Sequence, residues 1–106
     1  MATPNRPSLW REECVPRFMV ESYPVGLTAD ELTAASDRAA RVAEEFRLDG
    51  IDVRLIESTL VPAEESLFCI FEAPSREVVE EVATRAALPI ERLIEAVDVG
   101  PRIGQP

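Results

Sequence analysis

Four segments with the two-residue period of strands and two with the period of helices, in the order β-α-β-β-α-β, predict an α+β domain with one antiparallel sheet and both helices on one face. The size agrees. A chain of 106 residues, 46% hydrophobic and 29% charged, suffices for one modest core and leaves little for a second domain. The punctuation agrees as well, because proline and glycine fall between the periodic segments rather than inside them.

Residues 1–15 hold Pro4 and Pro7 among polar residues, show neither period, and read as an arm with Leu9 and Trp10 as local anchors. The domain is expected over 16–99 and a Gly/Pro-rich tail over 100–106. In 17–23, Phe18, Val20 and Ser22 alternate with Met19, Glu21 and Tyr23, as in a strand. Pro24-Val25-Gly26 breaks it. Thr28-Ala29-Asp30-Glu31 then forms a capping box, with Leu27 and Leu32 placed as a hydrophobic staple. Leu32, Ala35, Ala39, Val42, Ala43 and Phe46 recur at three and four, so the helix runs to about Arg47 on a narrow, alanine-lined face. Residues 53–60 and 66–73 read as a hairpin of two strands. Ser75 caps a second helix, Glu77 suits its first turn, and Val78, Val79, Val82, Ala83 and Ala86 line its apolar face before Pro89 closes it. Residues 93–99 are the last strand. This order is the split βαβ, or ferredoxin-like, pattern.

Two helices cover one side of such a sheet, and strand parity shows what the other side carries. Phe18, Val20, Ile56, Leu60, Leu67, Cys69, Phe71, Ile94 and Ala96 form an apolar set that should meet the helices. The opposite set is Met19, Glu21, Tyr23, Leu55, Glu57, Thr59, Phe68, Ile70, Glu72, Glu95 and Val97, with one glutamate on every strand. Met19, Leu55, Phe68, Ile70 and Val97 together make too large an apolar patch for a solvated face. A second copy is the simplest cover, giving a homodimer of the dimeric α+β barrel type with a pocket between the sheets. A carboxylate enclosed there needs a cation or a donor, and Arg17, Arg54 or a metal ion would serve. Glu57 and Glu72, on adjacent hairpin strands and expected to face one another, are the candidates for proton transfer; Glu57 and Glu21 are the candidates for holding a metal. The alternative is that each glutamate lies in water or pairs with an arginine.

Composition excludes several classes. There are no histidines, and all 11 basic residues are arginine. Imidazole-based nucleophile pairs, histidine metal ligands and lysine Schiff bases are therefore absent. Residues 17–99 carry 8 Arg against 18 acids, so nucleic acid and anionic membranes are poor partners. No apolar run approaches the roughly 20 residues of a membrane span, and a cytoplasmic location is expected. Cys14 and Cys69 fit neither a disulfide framework nor a zinc motif and read as reduced thiols, Cys69 in the core.

Pro16-Arg17-Phe18-Met19-Val20-Glu21, Gly26-Leu27-Thr28 before a helix, Cys69-Ile70-Phe71-Glu72-Ala73-Pro74-Ser75, and Ala87-Leu88-Pro89-Ile90-Glu91-Arg92 before a closing strand resemble a small bacterial nickel-binding family long known as a domain of unknown function. The resemblance spans about residues 16–99. It implies a ferredoxin-like domain, a dimer and, in one branch, a nickel ion held largely by histidines. Where many relatives have Trp-x-His-Ser-Tyr in the second strand, this chain has Leu55-Ile56-Glu57-Ser58-Thr59, which puts Glu57 at the ligand position. A carboxylate there favours harder ions such as Mn²⁺ or Mg²⁺ over nickel. Three functions remain open: a metal-binding or metal-responsive dimer, a small-molecule binder or acid/base enzyme of isomerase, cyclase or dehydratase kind, and a non-catalytic dimerising module.

Overall fold

The structure is a computed structural model that describes residues 16–23, 26–97 and 99. The arm with Cys14, residues 24, 25 and 98, and the tail lie outside them. The elements are β1 (Arg17–Ser22), α1 (Ala29–Leu48), β2 (Arg54–Val61), β3 (Ser66–Glu72), α2 (Arg76–Ala86) and β4 (Arg92–Ala96), with a 3-10 turn at Pro62–Glu64 inside the hairpin. The strands pair antiparallel in the order β2-β3-β1-β4, the ferredoxin-like α+β arrangement.

Local chemistry sets the helix ends. Thr28 Oγ1 accepts the Glu31 N–H at 3.1 Å while Glu31 Oε1 accepts the Thr28 N–H at 2.8 Å, so two donors at the start of α1 are satisfied reciprocally. At α2, Ser75 Oγ accepts the Val78 N–H at 3.4 Å. That helix ends on Ala87 in the left-handed region, at φ 56°, where glycine is the usual occupant. Arg38 of α1 reaches across to its last carbonyls, donating Nε to Ala86 O at 2.6 Å and Nη2 to Ala87 O at 3.3 Å. Arg85 of α2 returns the contact, its guanidinium 4.8 Å from the centre of the Phe46 ring. These ties hold the two helices side by side over the sheet.

Between the layers, Val20, Leu32, Val53, Leu67, Cys69, Phe71, Val79 and Val82 are shut off from solvent. Each large apolar side chain buried this way contributes about 1.5–3 kcal/mol relative to exposure. Ala35, Ala39 and Ala43, also buried, keep α1 close to its neighbours.

Two strands depart from strict alternation. In β2 the pairing slips between Leu55 and Glu57: Leu55 lies opposite Phe71 and Glu57 opposite Ile70, leaving Ile56 as the extra residue of a bulge. Leu55, expected on the open face, therefore packs against the core, and Ile56, expected inside, is 41% exposed. In β4 the faces are reversed. Leu93 lies opposite Val20 and is buried, Ile94 lies opposite Met19, and Glu95 lies opposite Phe18, on the helix side and exposed. Ala96 joins the open face opposite Arg17, and Val97 follows the strand, 81% exposed. The register of β4 is pinned at its start, where the Glu91 N–H meets Glu21 O at 2.7 Å and Arg76 Nη2 meets Leu93 O at 2.9 Å. That anchoring turns Leu93, rather than Ile94, toward the helices.

Candidate functional site

The sheet face away from the helices is built of three rungs, each crossing β2, β3, β1 and β4. One end rung is Arg54, Glu72, Arg17 and Ala96. The middle rung is Glu57, Ile70, Met19 and Ile94, and the other end rung is Thr59, Phe68, Glu21 and Arg92. A middle that is apolar on three of its four strands, with Glu57 on the fourth, is thus flanked by two charged rows. Met19, Phe68 and Ile70, on the two central strands, are only half-buried, as is Ile94 on the edge strand β4.

Glu21 is the unusual group. It is 5% exposed, the most buried charged residue described. The Tyr23 hydroxyl, from just beyond β1, donates to Glu21 Oε1, and Arg92 Nη1 lies 3.8 Å from the same oxygen. Tyr23 also stands edge-on to Phe68, with ring centres 6.0 Å apart at 79°, which seats the phenol over the end rung. The Glu21 carboxylate, by accepting the hydroxyl, holds Tyr23 above the ordinary phenol value of 10.0; burial and the Glu21 charge act in the same direction, and Arg92 opposes them. At neutral pH Tyr23 is therefore a hydrogen-bond donor and not a base. Glu21 is an acceptor with one oxygen already engaged.

The other predicted residues are distributed unevenly. Glu72 is held by Arg17, whose Nη2 and Nε lie 2.8 and 3.1 Å from its Oε2, and it faces Arg54 on its other side. Glu57 is exposed on the edge strand opposite Ile70, one rung from Glu72 rather than facing it. Thr59 is exposed beside Phe68. Leu55 and Glu95 belong to the helix side. Arg92 and Ile94 complete the face in their stead; a count of parity one residue either way from a correctly placed Leu93 finds both. On the covered side, Cys69 meets the Ser58 Oγ at 3.5 Å, and burial pushes its thiol above the ordinary value. A cleft of about 330 Å³ beside α1 and the end of α2 is lined by Leu27, Ala34 and Arg38, but Arg38 is spent on the α2 carbonyls.

Residues 18–96 match the family model of the nickel responsive protein SCO4226 and its like. The chain belongs to the SCO4226-like family. The crystal structure of SCO4226 from Streptomyces coelicolor A3(2) is similar at 25% identity with a TM-score of 0.64, covering 79% of this chain and 99% of that one. Among curated proteins there is no match.

Membership of a nickel-responsive family raises the question of whether this SCO4226-like chain has the donors for nickel. It has no imidazole at all. Among the described residues, no three His, Cys, Asp or Glu side chains gather in a group that could hold a metal ion. The described side chains of this chain do not make a nickel site. No described helix is long and apolar enough to cross a membrane.

Proposed function

We propose that this SCO4226-like protein is a homodimer that binds a small, mostly apolar molecule between two open sheet faces, with Glu21 as its polar anchor. The observation that carries the reading is a nine-tenths-buried carboxylate, braced by the Tyr23 hydroxyl, at the rim of the apolar patch of Met19, Phe68, Ile70 and Ile94. Ligand sites commonly have this composition: apolar walls with one or two placed polar groups. Charge supports a second copy as the cover. The three rungs hold Glu21, Glu57 and Glu72 against Arg17, Arg54 and Arg92, so the face is formally neutral on a strongly acidic domain, and two copies meet there without net repulsion. The ligand class follows from the acceptor: an alcohol or amine on a hydrocarbon body suits Glu21, whereas a carboxylate would face its charge.

Light scattering on the full chain tests the assembly, with a dimer expected and a monomer contradicting the reading. The site is tested by NMR titration with hexylamine against hexanoate. Shifts of the Glu21, Tyr23 and Phe68 amides with the amine alone, lost in Glu21→Gln, are expected. Equal responses to both compounds would remove Glu21 as the anchor.

A further inference from the structure

We infer that arginines stand in this chain where a metal ion would otherwise balance the acids of the open face, so that this member of a nickel-responsive family binds no nickel. Two of the three described acids of the face can be followed to a partner. Glu72 receives two nitrogens of Arg17, and neither group is more than about a quarter exposed on its side chain, 26% for the arginine and 21% for the glutamate. Glu21 is shared between the Tyr23 hydroxyl and Arg92. Glu95, the fourth glutamate on the strands, is on the other side of the sheet. Only Glu57 remains without a described partner, exposed on the edge strand. A two-fold dimer would add one more such carboxylate, its own mate. Two carboxylates and no imidazole are too few and too hard for nickel, which favours nitrogen donors. A guanidinium, unlike a bound ion, is permanent: it does not lose its proton, dissociate or yield to a chelator.

The inference concerns the cations of the face and stands apart from the ligand reading above: a monomer, or a face that ignores hexylamine, leaves it intact. Its test is equilibrium dialysis of the full chain against Ni²⁺ followed by metal analysis, with melting curves in chelator and in Ni²⁺. No stoichiometric nickel is expected, and the melting temperature should be the same in both buffers, since a ligand that binds only the folded state would raise it. The companion variant Arg17→Gln with Arg92→Gln uncovers Glu72 and Glu21, and its melting temperature should rise with added Mn²⁺ where that of the wild type does not. If the pair does not fold, Arg17→Gln alone serves the same purpose. One nickel retained per protomer or per dimer by the wild type overturns the inference. A folded variant as indifferent to Mn²⁺ as the wild type overturns it as well, because its arginines would then not be filling a cation's place.

Discussion

The two faces of the sheet are built by the same four strands and obey different rules. On the covered face, Val20, Leu67, Cys69 and Phe71 are closed off by two helices, and shape complementarity decides what fits. On the open face the middle rung is apolar and half-exposed across β3, β1 and β4, with Glu57 at its β2 end, and the rungs on either side are specified by paired charge. Opposite signs across adjacent strands, as in Arg17 against Glu72 and Glu21 against Arg92, let acids sit on this face without net charge. The covered face holds the domain together, and the open face is left half-exposed.

Substitutions on the two faces should separate these roles. The largest loss is expected on the covered side, where Phe71→Ala removes a fully buried ring and should lower unfolding stability by about 3–5 kcal/mol in urea titrations. A loss under about 1 kcal/mol would mean that the helices do not depend on that ring. On the open side, Ile70→Asp puts a charge in the middle of the apolar rung. It should leave the domain folded by circular dichroism and weaken the proposed dimer at least tenfold, or about 1.4 kcal/mol, by sedimentation. Retained dimerisation would move the interface elsewhere.

The smallest effect is spectroscopic. The chain has one tyrosine, so the rise of tyrosinate absorbance with pH reports Tyr23 alone. Its midpoint should lie above 10.0 and move back toward it in Glu21→Gln. Because the folded value is the raised one, the stability contributed by this bond is complete below pH 10 and is lost as pH rises through the folded midpoint. The advantage of wild type over Tyr23→Phe should accordingly be constant at neutral pH and shrink in strong alkali. An unshifted midpoint would separate Tyr23 from Glu21.

Much of this was legible in the residues because its causes are local. The Thr28–Glu31 box and the Ser75 cap announce helix starts through hydrogen bonds made within one turn, and element order follows from period and breaks. Facial assignment on β2 and β4 was less legible for a definable reason. Leu55 and Ile56, like Leu93 and Ile94, are adjacent apolar pairs, so either phase of the alternation fits the sequence. Only pairing with a neighbouring strand chooses between them. Arg92 carries no such signal, because a charge at a strand's first residue reads as solvent-facing, although it lies against the most buried carboxylate described. Ala87 in the left-handed region likewise has no signal of its own; Pro89 marked the helix end, not its geometry.

The bulge at Ile56 acts along β2 as a frameshift acts along a message. Residues after it keep the phase that a plain strand would assign, and residues before it are read half a period out. Two relatives aligned without a gap through this strand can match position for position and still send different side chains to the open face, if only one of them carries the extra residue. Transfer of a ligand position between such relatives is therefore sound from Glu57 onward and requires the pairing of Leu55 with Phe71 to be checked before it is extended backward.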